Sequence, residues 1–542
     1  MLKQALRQNP KRQQVAVGAS IPAPVGGWDA SSPLAVMKPE NAVRLDNWEP
    51  EPGYVRIRRG STKHAASVGS ASVNSLMAYH GITTATDALF AASSTTIYNV
   101  TTAFETDSAV TSLSNGKWQH VNVATSGGNF LVICNGADAP RTFDGSVWAT
   151  PAIAGEDETT FVHVTVHKKR IWFVEVNTTK AAYMTAVDTI AGTTSPFNLG
   201  SVFTMGGYLQ AIGNWTIDAG EGVDDHLVFF SSKGQAAIYT GIDPATDFAL
   251  VGVFNLGSPL GRRCLTKVAG DLAVISIDGV LPLSRAIALD RGAVQNVAIT
   301  AKIQNAMNTA ARRYGDNYGW QLIGYPKGTK AILNVPITEG SESHQYVMNT
   351  LTGAWCRFTG MDANCWEVFQ DRLFFGGNGG DVYEADVGAI DFVSPITCDM
   401  ITAFNYFGSH GRRKRWTSVQ PLITSDGIIT PSLEINTDFQ VTDNVTATVS
   451  SFETIGSNWD EVNWGAFTWA EDTKNITDWN SVDGEGQCAA VHMALSVSVN
   501  ASLLSYFDEA KFDVNTFDTD GSNAVTLQVS GFNLTMERGG FM

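Results

Sequence analysis

The segment Asp371-Arg-Leu-Phe-Phe-Gly-Gly-Asn-Gly-Gly-Asp-Val-Tyr-Glu384 contains the pattern that decides the fold class. A short apolar run follows a polar residue, a glycine-rich turn interrupts the chain, and a second short run follows. This order is typical of a β-hairpin, because glycine and asparagine readily adopt the backbone angles of tight turns. The first run is apolar at consecutive positions, which predicts a strand that is buried on both faces.

The same pattern recurs about every 40–50 residues through residues 71–400, and that spacing is the period of a propeller blade. The region is therefore long enough for about six or seven blades. Its middle strands are apolar on both faces, as expected if each blade stacks against its neighbours. The recurring runs are Asp87-Ala-Leu-Phe90, Asn129-Phe-Leu-Val-Ile-Cys134, Arg170-Ile-Trp-Phe-Val-Glu175, His226-Leu-Val-Phe-Phe230 and Asp271-Leu-Ala-Val-Ile-Ser276.

One helix interrupts the β pattern, over residues 300–314. Ile303, Met307, Ala310 and Tyr314 recur at a spacing of three or four residues, and Gly315 follows as a stop signal. The apolar stripe predicts that this helix packs against a sheet.

Strands are predicted again after residue 416, where they indicate a second, antiparallel β domain. The chain is therefore predicted to be mainly β: a β-propeller followed by a C-terminal antiparallel β domain. The predicted parts are a basic flexible arm (1–20), N-terminal strands that join a platform (21–70), the propeller (71–400), and an acidic C-terminal β domain (401–542) with a Trp-rich loop at 459–479.

The composition excludes several classes of protein. Of the 542 residues, 44% are hydrophobic and 16% are charged, so the chain can bury large cores and is not mostly disordered. The formal net charge of −17 disfavours a protein that grips nucleic-acid phosphates with its whole surface. Six scattered cysteines without a Cys-x-x-Cys pair predict neither a disulfide scaffold nor a zinc site. Without a long apolar run or a secretory signal, we expect assembly in a cytoplasm and no membrane span.

Charge is distributed unevenly along the chain. Residues 1–20 carry four basic and no acidic side chains, whereas residues 416–542 carry 18 Asp and Glu against three Lys and Arg. A basic run, Arg412-Arg-Lys-Arg415, precedes the acidic region. Two interpretations stay open for the basic residues: solvated turns, or contacts with other subunits or DNA that set orientation in an assembly. The candidate interface residues are Lys3, Arg7, Lys11, Arg12, Arg412, Arg413, Lys414 and Arg415.

Two further basic runs have the same two interpretations. They are Tyr54-Val-Arg-Ile-Arg-Arg-Gly60 and His167-Lys-Lys-Arg170. On a strand, Arg56 and Arg58 would share one face, because successive side chains alternate between the faces of a sheet.

No complete catalytic motif is found. Phe143-Asp-Gly-Ser-Val-Trp148 partly matches the Asp-containing turn of sialidase-like propellers, but Asp-Gly also makes hairpin turns, and the tryptophan can cover the layer between blades. The arginine pairs at 262–263 and 312–313 could hold a carboxylate, but the strand-by-strand layout of such a site is missing. We therefore expect no catalytic, cofactor-binding or metal-binding residue and no cofactor. Adjacent acids, which we interpret as solvated loop charges, occur at Asp224-Asp225, Asp460-Glu461 and Glu471-Asp472.

Five motifs follow one another along the chain: Ile21-Pro-Ala-Pro-Val-Gly-Gly-Trp28, Ala42-Val-Arg-Leu-Asp-Asn-Trp-Glu-Pro50, Gly53-Tyr-Val-Arg-Ile-Arg-Arg-Gly60, Phe404-Asn-Tyr-Phe-Gly408 and Gly531-Phe-Asn-Leu-Thr-Met-Glu-Arg-Gly-Gly540. In that order they resemble the tail hub or nozzle proteins of short-tailed bacteriophages, over nearly the whole length. The match is one of pattern and includes no catalytic signature.

The resemblance implies a structural role in the virion rather than an enzyme. Such proteins form homohexameric rings that extend the channel of the portal and adaptor proteins, retain packaged DNA, conduct it during ejection, and dock tail fibres or spikes. The implied partners are therefore the adaptor, the portal, the fibre or spike proteins and, transiently, DNA. The implied location is the phage tail, after assembly in the host cytoplasm.

An acidic C-terminal region suits such a conduit, because a negative wall repels phosphates and lets DNA slide. Three of the tryptophans in the Trp-rich loop are five residues apart, a spacing that fits neither a helix nor one face of a strand, so loops or tight turns are predicted. The candidate lumen or tip residues are Asp513, Asp518, Asp520, Trp459, Trp464 and Trp469.

Two other functions stay open. One is a virion-associated propeller that hydrolyses glycans, which would need an acid–base pair and sugar-stacking tryptophans. The other is a carbohydrate-binding module that uses the same tryptophans without hydrolysis.

Overall fold

The structure is a computed structural model that describes residues 16–218, 223–268, 270–289, 291–425, 429–442, 446–452, 474–499 and 527–541. Short strands dominate these residues, and most neighbouring strands are antiparallel. Six strands come before the first complete blade. They are β1 (Val17–Pro22), β2 (Gly27–Trp28), β3 (Asn41–Asp46), β4 (Trp48–Glu51), β5 (Tyr54–Ile57) and β6 (Ser61–Ala65).

Six separate sheets form the blades of a propeller, and four of them are simple meanders of strands that follow one another in the chain. In blade 3 the short strand β15 adds to β19 in parallel. The strands of the first three blades are β7 (Val73–Tyr79), β8 (Ala88–Ser93), β9 (Thr96–Asn99) and β10 (Asp107–Val110) in blade 1; β11 (Gln119–Thr125), β12 (Gly128–Cys134), β13 (Arg141–Phe143) and β14 (Trp148–Ala149) in blade 2; and β15 (Ile153–Ala154), β16 (Phe161–His167), β17 (Arg170–Glu175), β18 (Lys180–Met184) and β19 (Gly192–Asn198) in blade 3.

Blade 6 joins the two ends of the propeller, because the early strand β6 pairs with β33 as its outermost strand. The strands of the last three blades are β20 (Leu209–Asp218), β21 (Val223–Ser231), β22 (Gln235–Thr240) and β23 (Ala249–Asn255) in blade 4; β24 (Leu265–Val268), β25 (Asp271–Ser276) and β26 (Gly279–Pro282) in blade 5; and β31 (Cys365–Phe369), β32 (Arg372–Gly376) and β33 (Val382–Ala385) with β6 in blade 6.

A seventh meander, the bridging blade, lies between blades 5 and 6. It consists of β27 (Gln321–Tyr325), β28 (Lys330–Thr338), β29 (Glu342–Asn349) and β30 (Trp355–Phe358). Its first strand contacts β24 on one side and β31 on the other, and β31 in turn contacts β7 of blade 1, which closes the ring. The predicted β-propeller is confirmed, with six separate blades and a seventh meander that continues into another sheet.

Apolar side chains fill the gaps between neighbouring blades. Phe90 and Leu131 lie in the cluster between blades 1 and 2, and Trp172 and Phe229 lie in the cluster between blades 3 and 4. Every residue of β17 is buried. A middle strand packs against a neighbouring blade on each face, and this explains the consecutive apolar residues in the sequence.

Three helices pack on these sheets: α1 (Leu283–Ala286), α2 (Arg291–Val294) and α3 (Gln304–Tyr314). α1 follows β26 and contacts β25 and β26 of the three-stranded blade 5. α3 buries Met307 and Ala310 of the predicted stripe. It begins at Gln304 rather than at residue 300, because a 3-10 turn over Ala301–Ile303 precedes it.

The C-terminal strands and the N-terminal strands build the rest of the fold together. The platform sheet has the order β38–β35–β41–β5–β4, with β39 also paired to β35 and β1 to β41. A ten-stranded sheet runs from the bridging blade through β30, β2, β3, β34 and β40 to β36, and β37 pairs with β40 in parallel. The strands are β34 (Ile396–Thr402), β35 (Arg412–Ser425), β36 (Ser432–Thr437), β37 (Thr448–Phe452), β38 (Lys474–Ile476), β39 (Asn480–Gly486), β40 (Ala489–Val499) and β41 (Leu527–Phe541).

Two predicted segments differ from the structure. Residues 17–20, predicted as part of a flexible arm, belong to strand β1, which pairs with β41 from Val17 opposite Met536 to Pro22 opposite Gly531. The basic run at 412–415 is not a turn: it is the start of β35. Both segments become strands because the long strand β41 offers each of them a partner.

Candidate assembly interface

The platform sheet has two distinct ends, which the register of β35 against β41 defines. Arg412 lies opposite Phe541 at one end, and Ser425 lies opposite Leu527 at the other. We call the first the basic end and the second the acidic edge, for the charges described below.

Strand β1 begins toward the basic end. Its first residue, Val17, lies opposite Met536, and Met536 also lies opposite Trp416, next to the basic run of β35. The start of β1 and the basic run at 412–415 therefore lie at the same end of β41. The arm residues Lys3, Arg7, Lys11 and Arg12 lie outside the described residues, and their contacts stay a prediction.

The four residues of the basic run differ in exposure. Arg413 and Arg415 are exposed, but each faces an acidic residue of β39: Arg413 Nε lies 2.9 Å from Glu485, and Arg415 Nε lies 3.3 Å from Asp483. Such exposed pairs contribute little to stability and leave both arginines accessible. Arg412 is half-buried at the start of the strand.

Lys414 does not belong in the predicted contact set. Its side chain is only 1% exposed, and its ammonium group donates to the carbonyl oxygens of Ser409 and Gln487, both at 2.6 Å. The reason is strand alternation: in β35 residues 413 and 415 face solvent, and residue 414 faces the core. Lys414 therefore links the loop at Ser409 to the end of β39 at Gln487, and it is not available to an adaptor protein.

The acidic edge gathers the ends of two long acidic segments. Lys474 and Leu527 both pair with Ser425, and Phe452 pairs with Val499. The backbone N–H of Thr430 donates to Ser450 Oγ at 3.1 Å and ties these strand ends together. The chain therefore enters both acidic segments, 453–473 and 500–526, from paired ends of the ten-stranded sheet (Phe452 and Val499), and it rejoins the platform after each of them beside Ser425, at Lys474 and at Leu527.

The two segments together carry ten Asp and Glu and one lysine, Lys511. The candidate lumen or tip residues Trp459, Trp464, Trp469, Asp513, Asp518 and Asp520 belong to them and lie outside the described residues. Only the positions at which the segments begin and end are part of the described fold.

The residues considered for an enzyme do not form a catalytic centre in the described ranges. Asp144 Oδ1 accepts hydrogen bonds from the backbone N–H groups of Ser146 and Val147, both at 2.8 Å, and these bonds lower the pKa of Asp144. Trp148 packs against Phe90 at 4.9 Å between ring centroids. The partial sialidase-like motif is therefore a hairpin turn whose tryptophan covers the layer between blades 1 and 2, as the sequence indicated.

The two arginine pairs considered for carboxylate binding lie on different elements of the fold. Arg312 and Arg313 are exposed in the last turn of α3, whereas Arg262 and Arg263 precede β24. Within the parts of the chain that the structure describes, no group of three His, Cys, Asp or Glu side chains is placed to hold a metal ion. No described helix is long and apolar enough to cross a membrane.

Arg58 belongs neither to a solvated turn nor to a surface that faces a subunit or DNA. It is 1% exposed and forms a two-pronged ion pair with Asp391, whose Oδ1 lies 2.8 Å from Arg58 Nη1. Its Nε donates to Asn47 Oδ1 at 2.7 Å, and its Nη2 donates to the carbonyl oxygen of Thr359 at 2.9 Å. The guanidinium therefore links the platform to the bridging blade and to the chain after blade 6.

A second ionic cluster lies at the same junction, at the start of β28. Lys330 Nζ lies 2.6 Å from Glu49 Oε1 and 2.5 Å from Asp386 Oδ1. Arg56 Nη2 adds a contact of 2.7 Å to the other oxygen of Glu49, and it also lies 3.2 Å from Glu51. The cluster joins the platform strand β4, the bridging blade and the end of blade 6.

Sequence reasoning missed these junction residues. The partners Arg58 and Asp391 are separated by 333 positions, and Lys330 directly precedes an apolar run. The available signal was a basic residue next to a run that is otherwise apolar, since a buried charge requires a partner.

Comparisons with known proteins do not assign a family. No protein-family profile and no curated protein matches the chain. Among solved structures, Sqt1 from Saccharomyces cerevisiae is similar with a TM-score of 0.37 and 13% identity, over 64% of this chain and 96% of that one. A structure of BBS1N in complex with ARL6DN has a TM-score of 0.37 and 9% identity, over 60% of this chain and 96% of that one. At such scores the similarity carries no argument, and the fold assignment rests on the sheets described above.

Proposed function

We propose that this protein is a structural component of a virion, the tail hub or nozzle of a short-tailed bacteriophage. Six copies would form a ring that prolongs the channel of the portal and adaptor, retains packaged DNA, conducts it during ejection, and docks tail fibres or spikes. No catalytic residue is needed for this role.

The observation that supports the proposal best is the charge asymmetry of the platform sheet. The start of β1, which follows the basic arm in the sequence, and the exposed Arg413 and Arg415 lie toward one end, and the described residues that follow the two acidic segments, Lys474 and Leu527, lie at the other. Opposite charge at opposite ends suits a ring that binds an upstream protein on one side and lets DNA slide past an acidic wall on the other. The propeller, which is inserted between the two halves of the platform, would then lie to the side and offer a surface for fibres.

The native mass of the purified protein is the first test of the proposal. We expect a closed ring of six 58.2-kDa chains, either alone or after addition of the adaptor protein. A protein that stays monomeric even with the adaptor, and that cleaves or binds host glycans, would contradict the proposal and favour the carbohydrate-active alternative.

Charge reversal in the acidic segment should slow genome ejection. In virions that carry Asp513→Lys together with Asp518→Lys, the new lysines would attract the phosphates of the passing DNA, so we expect ejection several-fold slower than in the unmodified virion. The matched control is Glu105→Lys with Asp107→Lys, the same charge change at exposed positions of blade 1. Ejection at the normal rate in the first double variant would mean that these acids do not line the channel.

A further inference from the structure

Trp479 is the one exposed tryptophan among those that the structure describes. It is 52% exposed, whereas the others are buried or half-buried. It lies in the short connection between β38 and β39, and both strands pair with β35 as the outermost strands of the platform sheet. An exposed tryptophan suits the centre of a protein–protein contact, because one rigid ring buries a large apolar area. We call this flank of the platform the tryptophan side.

The opposite flank of the platform exposes a second large apolar residue, Leu351. It is 72% exposed in the turn between β29 and β30. Asn349 ties this turn to β4, because its Oδ1 accepts a hydrogen bond from the N–H of Leu351 at 2.9 Å and its Nδ2 donates to the carbonyl oxygen of Pro50 at 3.0 Å. β4 is the last strand of the platform in this direction. We call this flank, with Leu351 and the exposed β4–β5 turn at 52–53, the turn side.

The strand register places the two sides at the same level of the sheet. One line of paired residues crosses the platform through Ile476, Ile423, Val529, Val55 and Pro50. Trp479 follows that line on the tryptophan side, and the turn at 52–53 follows it on the turn side, both in the direction of the basic end. A second chain that lies beside the first without a shift along the strands therefore brings the two sides together.

The two sides also carry opposite charges beside their apolar residues. Asp478, which precedes Trp479, is exposed, and Lys327 is exposed in the turn between β27 and β28. The N–H of Thr350 donates to the carbonyl oxygen of Thr329 at 2.8 Å, so the turn of Lys327 lies against the turn that follows β29. Neither the Asp478 carboxylate nor the Lys327 ammonium has an ion-pair partner among the described residues. Opposite charges at the rim of a contact steer association and fix its register.

We propose that the tryptophan side of one chain packs against the turn side of a second copy, with Trp479 beside Leu351 and Asp478 facing Lys327. The contact is head-to-tail, because each chain contributes a different side. Since the two sides lie at the same level, repetition about an axis along the strands closes into a ring and does not climb into a helix. The inference rests on the proposed function, for which it names the surface that closes the ring.

Chemical cross-linking of cysteine variants tests the contact directly, because all six native cysteines are buried. Asp478→Cys together with Lys327→Cys, placed in the full chain and assembled with the adaptor where the ring requires it, should give a ladder of up to six linked chains with a short bis-maleimide. Such a reagent is preferable to a disulfide, since a pair of long side chains separates two backbones by more than a disulfide spans. The matched control is Asp478→Cys with Ser108→Cys, an exposed position of blade 1, which should give no ladder.

Two results of the cross-linking would overturn the proposal. An assembled double variant without a ladder would mean that another occupant, such as a fibre protein, covers Trp479. Linked dimers from Asp478→Cys alone would indicate a two-fold contact in place of a head-to-tail one.

Substitutions at the contact give a second, independent readout. Trp479→Ala should raise the chain concentration at half-assembly by about tenfold or more, whereas Ile82→Ala, at an 87% exposed position of blade 1, should leave it unchanged. Lys327→Glu should weaken assembly, and Asp478→Lys in the same chain should restore it, because the charge pair is rebuilt with the opposite polarity. A ring that forms normally in both Trp479→Ala and Lys327→Glu would overturn the assignment of the contact and leave the proposed function intact. A native chain that never assembles, even with the adaptor, would overturn both.

Discussion

Replacement of Arg58 by alanine is expected to lower the free energy of unfolding by about 3–5 kcal/mol, the cost of leaving a buried charge without its partner. The truncation would strand the carboxylate of Asp391, whose side chain is 11% exposed, and would remove donors from Asn47 Oδ1 and the carbonyl of Thr359. Denaturant unfolding of the purified protein measures the loss, with Arg313→Ala on the exposed face of α3 as a control that should change stability by less than about 0.5 kcal/mol.

The same residue allows a sharper test by a double variant. Arg58→Met together with Asp391→Asn removes both charges and keeps similar volumes, so it should be more stable than Arg58→Ala by a large part of the lost free energy. If the double variant were as unstable as the single one, the loss of the neutral hydrogen bonds to Asn47 and Thr359, rather than the stranded charge, would account for the effect.

The propeller could be predicted because its signal is local and repeated. The run Asp271-Leu-Ala-Val-Ile-Ser276 coincides with β25, and the hairpin around Gly377-Asn-Gly-Gly380 joins β32 to β33. In each case the apolar residues and the turn residues lie within about 15 positions of one another, so the pattern is visible in one window of sequence.

The closure of the ring could not be predicted in this way. The pairing of β6 with β33 and that of β30 with β2 and β3 join residues about 300 positions apart. Likewise, the run Arg412-Arg-Lys-Arg415 looks like a basic patch in the sequence, but strand alternation buries Lys414 and exposes its neighbours. Burial and ion pairing at these positions depend on tertiary partners that a single sequence does not identify.

Replacement of Lys330 by methionine should be comparably damaging, by about 3–5 kcal/mol at pH 7, because it strands the carboxylate of Asp386 and leaves Glu49 with Arg56 alone. Lys330 is 6% exposed, and its ammonium group is the cation that Glu49 and Asp386 share. Arg56 remains beside Glu49 but does not reach Asp386 within ion-pair distance in the described structure. Thermal or denaturant unfolding measures the loss.

The pH dependence of this loss distinguishes stranded charge from lost packing. Burial lowers the pKa of Lys330, but Glu49 and Asp386 raise it more, so the folded-state pKa lies above the usual value. The native ammonium therefore stabilises the fold at every pH below about 10.4, and its contribution is lost only as the pH rises through the higher folded-state pKa. The deficit of Lys330→Met relative to the native protein should therefore stay constant at neutral pH and shrink as the pH rises above about 10.4, where the lysine begins to lose its proton. A deficit that stays constant above that pH would mean that methionine fails to fill the site, and that the ionic cluster at the junction adds little to the attachment of the propeller to its platform.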